Sequence, residues 1–261
     1  MLIDDCHAIT HHLSMKHLNI LGMKVNQITI NDALIQCLSW SKEQSSRYIC
    51  AANVHMCMEA FDKADFRSIV NNADLVVPDG RPLVWAQRLL GADNAEQLRG
   101  MDLMLALCKQ TEKSAAAVGF YGATPELLEQ LTNKLTLKYS ELKITCTIAP
   151  PFRALSSEED NEIIEQINTS GVDFLFVGLG CPKQERWMAE HKNKLHCVML
   201  GVGAAFDFIA GNKPHAPRWI QSLGLEWLFR LSYEPQRLWR RYLIQNPRFV
   251  WHFLWQWLRR K

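Results

Sequence analysis

Between residues 48 and 200 short apolar runs alternate with segments of helical periodicity, and this alternation limits the possible architectures more than any other feature. Residues 48–52, 75–77, 116–121, 143–148, 174–177 and 197–200 read as strands, most of them stopped at once by Asn, Pro or Gly. Helical segments lie at about 55–70, 82–90, 102–111, from Thr124 onward, at 156–171 and at 183–194. Residues 18–30 hold further strand-like pieces, and Asn31 or Asp32 is placed to cap a helix reaching Ser41. Thr124-Pro125-Glu126 supplies a cap, a first-turn proline and an early acid. Strands separated by helices pair in parallel, and a parallel sheet must be covered on both faces. The sequence therefore predicts an α/β fold: a mostly parallel Rossmann-like sheet between helical layers, forming a core over residues 19–208.

The chain has 261 residues, enough for one large core with an appendage. With 48% hydrophobic and 21% charged residues it has the composition of a folded soluble protein. A net charge of +2 gives no electrostatic case for a nucleic-acid partner. Eight cysteines without a C-x-x-C pair imply reduced, buried thiols and a cytoplasmic setting. No apolar run reaches 18 residues, so no spanning helix is expected. Residues 1–18 lack a signal-peptide layout and read as a poorly ordered leader, in which His7 and His11 are a weak metal-site candidate.

Strand signals stop near residue 205, and residues 209–261 read as a helical appendage punctuated by Pro214, Pro217, Pro235 and Pro247. From Arg230 to Lys261 there are eight Lys or Arg against one acid, Glu234, among Trp239, Trp251, Trp255 and Trp257. Trp with Arg suits the headgroup layer of a membrane. The alternatives are a helix docked on the core and one buried between subunits of a homo-oligomer.

Four strand ends carry the residues able to do chemistry. The first is Asn53. The second is Asp79, after a strand that stops at Pro78 and before a helix that Pro82 can open; the crevice at such ends is where open α/β sheets bind ligands. Asp79 either faces a ligand there or merely caps the helix. The third runs from Gly178 through Gly180 to Lys183, Gln184 and Glu185, and the fourth pairs Gly201 with Gly203. Glycines let a ligand approach the backbone, and helix-opening amides favour phosphate oxygens, although tight strand–helix packing explains glycines equally well. Lys183 breaks the G-x-G-x-x-G fingerprint, which disfavours a nicotinamide oxidoreductase. No D-x-D is present to clamp a nucleotide-bound Mg²⁺, so charge on a leaving diphosphate must fall to cations and amides.

These pieces, in this order, resemble the WecG/TagA/CpsF family of bacterial glycosyltransferases, family 26. The resemblance runs from about Leu21 to Phe249. It is carried by Ala52-Asn53, Val77-Pro78-Asp79-Gly80, Arg99-Gly100-Met101-Asp102-Leu103 and Gly178-Leu179-Gly180 leading into Pro182-Lys183-Gln184-Glu185. Gly201-Val202-Gly203 with Phe206-Asp207, Ala216-Pro217-Arg218-Trp219 and Gly224-Leu225-Glu226-Trp227 complete it. It implies a peripheral enzyme on the inner face of the cytoplasmic membrane, which moves a sugar from a UDP-sugar donor to a polyprenyl-diphosphate-linked acceptor with inversion. Asp79 matches the proposed catalytic base. Asn53 and Gln184 match substrate-pocket positions, and Arg230, Arg237 and Arg240 match arginines that close over the donor or acceptor diphosphate. No metal or other cofactor is implied, and soluble forms of such proteins are expected to self-associate through the membrane-facing surface. Deleting residues 230–261 is expected to abolish transfer and leave a folded core.

Two positions depart from the family pattern. Ala51 stands where many members have Thr, and Gln97 where many have Arg, with Arg99 beside Gly100 instead. Both bear on the donor sugar, for which N-acetylmannosamine or another neutral hexose is expected. The non-enzymatic alternative is a membrane-associated scaffold that only binds a nucleotide sugar.

Overall fold

The computed structural model describes residues 16–217, 220 and 224–260. Most of the leader, including His7 and His11, and the Arg218-Trp219 pair lie outside the described residues. A hairpin, β1 (His17–Ile20) and β2 (Met23–Asn26), turns at Leu21 and Gly22, both at positive φ as a two-residue primed turn requires. The remaining strands are β3 (Arg47–Ala52), β4 (Leu75–Pro78), β5 (Ala117–Gly122), β6 (Lys143–Ile148), β7 (Phe174–Gly178) and β8 (Val198–Gly201). They form one sheet in the order β4-β3-β8-β7-β5-β6, and every pairing is parallel.

Alternate strand residues divide between two cores, because side chains alternate across a pleat. Tyr48, Cys50, Ala52, Leu175, Val177 and Met199 face one side; Ile49, Ala51, Phe174, Phe176, Val198 and Leu200 face the other. Helices α2 (Val54–Asp62), α3 (Ala64–Asn71), α4 (Arg81–Leu89), α7 (Ser157–Thr169) and α8 (Lys183–His191) cover the first face. Helices α1 (Ile30–Lys42), α5 (Gly100–Thr111), α6 (Pro125–Lys138) and α9 (Ala205–Ala210) cover the second. The expected helix at 55–70 is two helices, broken at Lys63, whose backbone is extended. The α1 cap is Thr29 rather than Asn31 or Asp32: its hydroxyl accepts from the Asp32 amide at 3.2 Å. Edge strand β4 is closed to further pairing by Asn26, whose side chain accepts from the Val76 amide at 2.8 Å.

The C-terminal helices are α10 (Glu226–Tyr233), α11 (Pro235–Trp239), a π-helical turn (Arg240–Gln245) and α12 (Asn246–Leu258). Helix α12 does not stand apart from the core. Phe249 and Phe253 are 3% and 4% exposed and belong to the first-face core. Gln256 pairs with the hairpin, accepting from the Leu21 amide at 2.8 Å and donating to the Asn19 carbonyl at 2.7 Å. The Trp257 indole donates to the Leu89 carbonyl at 3.1 Å, and Arg248 forks onto Asp62 at 2.8 and 3.0 Å. One face of α12 is docked, as one of the sequence-level alternatives had it. The opposite face still exposes Val250, Trp251, Leu254, Trp255 and Leu258.

Candidate active site

The winding of the sheet switches between the parallel neighbours β3 and β8: β3 is followed by helices on the first face and leads outward to β4, whereas β8 adjoins the β7 half of the sheet and is followed by α9 on the second face. Crevices outside such switch points bind ligands in parallel sheets. A cavity of about 290 Å³ opens there, lined by Asn53 after β3, Asp79 after β4, Gly180 after β7 and Gly203 after β8. Helix α10 and the π-helical turn wall its far side with Glu226, Arg230, Arg241 and Tyr242.

Asp79 is held tightly. Its amide and that of Gly80 both donate to the Ala52 carbonyl, at 2.8 and 3.0 Å. Gln97 donates to the Asp79 carbonyl at 2.6 Å, so the residue departing from the family pattern fixes the backbone of the candidate base. Asp79 does not cap α4, which has no side-chain cap; its Oδ1 accepts from the Gly100 amide at 3.1 Å instead. Burial pushes its carboxyl up to about 6, against the Gly100 bond, with Glu226 adding to the rise and Arg230 and Arg241 opposing it. A carboxyl titrating near neutrality at a cleft floor is suited to taking up a proton.

Gln184 turns inward. Its Oε1 accepts from the Gly180 and Gly203 amides at 3.2 and 3.0 Å and so ties the two glycine loops together. Its Nε2 donates to Glu185 at 2.7 Å. Glu185 is wholly buried and lies behind the cavity wall; burial pushes its carboxyl up, and its Oε2 has no partner among the described residues. Gly178 is a packing residue, since a Cβ there would lie 2.5 Å from the Phe206 ring; one at Gly201, which does reach the cavity, would lie 2.9 Å from Gln184. Gly180 and Gly203 adopt positive φ and line the cavity. Asn53 caps α2, accepting from the Met56 amide at 3.2 Å, while lining the same cavity.

Other expected positions fall outside. Lys183 is exposed at the start of α8 and is not part of the cavity wall. Asp102 is set back from it, accepting from Arg99 Nε at 2.7 Å, while Arg99 itself lines the cavity with Nη1 3.7 Å from Glu226. Arg230 and Arg237 reach the cavity; Arg240 instead packs over the Trp239 ring at 5.3 Å on the outer surface. Arg237 is already forked onto Glu234, at 3.0 and 2.5 Å. The sequence reading did not select Arg81, Glu226 or His55, and it named Arg241 only as one of the basic C-terminal candidates; all four line the cavity. Arg81 and Glu226 had a signal, adjacency to Asp79-Gly80 and a place in Gly224-Leu225-Glu226-Trp227. Arg241 had its place in the basic C-terminal segment, but the choice between it and Arg240 depends on the π-helical turn. Among the described residues no group of three or more His, Cys, Asp or Glu side chains is placed to hold a metal ion.

A parallel sheet with a buried carboxyl and several guanidiniums at its switch point makes a cleft suited to an anionic ligand and to proton uptake. The comparisons with known proteins agree. The chain matches the Glycosyl transferase WecG/TagA/CpsF family over residues 18–261, and it belongs to that family. It is 26% identical over 209 residues, 80% of this chain and 79% of the relative, to a Bacillus spizizenii protein. That protein is an N-acetylglucosaminyldiphosphoundecaprenol N-acetyl-beta-D-mannosaminyltransferase. A Staphylococcus aureus protein of the same name is 28% identical over 225 residues, 85% of this chain and 87% of the relative.

Proposed function

We propose that this protein transfers N-acetylmannosamine, or a closely related neutral hexose, from a UDP-sugar to a polyprenyl-diphosphate-linked sugar in the synthesis of a cell-surface polysaccharide. The carrying observation is Asp79, a carboxyl raised to about 6 at the floor of a cleft whose opposite wall is cationic. In this reading the Asp79 carboxylate takes the proton of the acceptor hydroxyl as that oxygen attacks the anomeric carbon. The bond to the UDP oxygen breaks on the opposite side, which inverts the configuration. Arginines and backbone amides, rather than a metal ion, meet the charge that develops on UDP. The names of the two relatives support both the sugar and the lipid-linked acceptor.

The same reading places the enzyme at the inner surface of the cytoplasmic membrane. No helix among the described residues is long and apolar enough to cross a membrane. The outward face of α12 instead presents Trp251 and Trp255 at 62% and 48% exposure, with Arg259 over the Trp255 ring at 5.0 Å.

The test is a UDP-release assay with a panel of UDP-sugars, a short-chain prenyl-diphosphate-linked N-acetylglucosamine, and EDTA present or absent. Acceptor-dependent release from UDP-N-acetylmannosamine, insensitive to EDTA, is the expected result. Release that needs a divalent ion would remove the metal-free mechanism, and release from no donor would remove the transferase reading.

A further inference from the structure

Glu185 is 0% exposed, and the transfer reading assigns it no role. Burying a carboxyl is expensive unless its oxygens are engaged, and apolar packing at such a position is commonly at least as stable. Its Oε1 accepts from Gln184 Nε2 at 2.7 Å, while its Oε2 has no partner among the described residues. The Cys181 thiol hydrogen-bonds the same carboxyl. Cys181 and Gln184 both line the cleft and Glu185 does not, so one carboxyl behind the wall holds two side chains that form it.

The Gln184 amide has one workable orientation. Two backbone N–H groups, of Gly180 at 3.2 Å and Gly203 at 3.0 Å, meet its Oε1. A flipped amide would set its own N–H donors against both, and the observed one needs an acceptor behind Nε2, which Glu185 supplies. Gly201 leaves the space, since a Cβ there would lie 2.9 Å from Nε2. Strands β7 and β8 pair Val177 with Gly201, so the two loops leave the sheet side by side, and their glycines line the cleft at positive φ.

We propose that Glu185 is a positioning residue: by accepting from Gln184 it fixes the amide that braces the β7 and β8 loops, and so holds the cleft between them in shape for the UDP of the donor. The identity of the ligand rests on the transfer reading above; the brace does not. Glu185 thus serves the ligand through Gln184 and not by contact, as its place behind the wall requires.

Amide hydrogen exchange and UDP calorimetry on the full chain test this, with wild type, Glu185→Leu, Glu185→Gln, Gln184→Leu and the Glu185→Leu/Gln184→Leu double variant. Glu185→Leu is expected to keep a cooperative unfolding transition, to speed exchange at Gly180 and Gly203 by about tenfold or more, and to weaken UDP by a similar factor. Glu185→Gln keeps an acceptor oxygen and should match wild type in both readouts. Because Glu185 acts through Gln184, the double variant should bind UDP no more weakly than Gln184→Leu alone. Unchanged exchange at the two glycines or unchanged UDP affinity in Glu185→Leu overturns the proposal, as do single-variant losses that simply add in the double variant. A Glu185→Leu chain that does not fold would make the carboxyl structural and overturn it too. A wild-type chain that binds no UDP would remove the transfer reading, and the exchange result alone then upholds or overturns the brace.

Discussion

At the scale of single residues the site turns on how Asp79 is solvated. Its carboxyl rises from the ordinary 3.8 to about 6 chiefly because burial removes water from the charged form. Transfer needs the carboxylate, so kcat/KM is expected to fall about tenfold per pH unit below about 6 and to level off above it. A pH profile with no acid limb in that region would refute Asp79 as the base. The same shift carries a stability consequence of opposite sense. The folded pKa exceeds the unfolded one, so the contribution is fully present below about 3.8 and is lost as pH rises through about 6. Asp79→Asn is therefore expected to abolish turnover while raising stability at pH 7.5 by about 1–3 kcal/mol. Its amide oxygen can still accept from Gly100. Urea denaturation of both proteins at pH 7.5 and pH 4 checks this, and the difference should shrink towards zero at the lower pH.

At the scale of elements, α12 decides how the C-terminal region behaves. A basic, Trp-rich segment was legible, as was its fitness for a headgroup layer. The pairing of Phe249 and Phe253 with the first-face core was not, because an amphipathic stripe does not specify which surface it meets. Removal of residues 230–261 would strip that core of both rings, so the truncated chain is expected to lose its cooperative fold and not merely its activity. Phe253→Ala gives the graded version. It should destabilise by about 3–5 kcal/mol, the usual range for a buried ring, whereas loss of the half-exposed Arg248–Asp62 pair should cost about 0.2–1 kcal/mol. Equal effects in denaturant titrations would mean that α12 is held by its charges.

At the scale of the molecule, docking one face of α12 on the core leaves the other to solvent. Trp251→Ser with Trp255→Ser should lower co-sedimentation with anionic vesicles at least tenfold. Unfolding should stay within about 0.5 kcal/mol of wild type, as expected for surface changes. Unchanged vesicle binding would point to another face of the protein, and a fall in oligomer size in its place would identify that face as a contact between copies.

The sequence by itself determined the parallel sheet, its two-sided burial and the strand ends that carry Asn53, Asp79 and the glycines. Those follow from local properties: apolar runs too short for helices, stops at Pro and Gly, and caps such as Thr124 and Ser156. It also held enough motif spacing to place the chain in its family. Only the tertiary structure decided which of these residues face the ligand. Gln184 closes on two amides and Lys183 points to water, although they are neighbours in one helical turn. Likewise Arg241, not Arg240, enters the cleft. Side-chain direction at a helix start or in a π-helical turn depends on the packing of distant elements, and no local pattern records it.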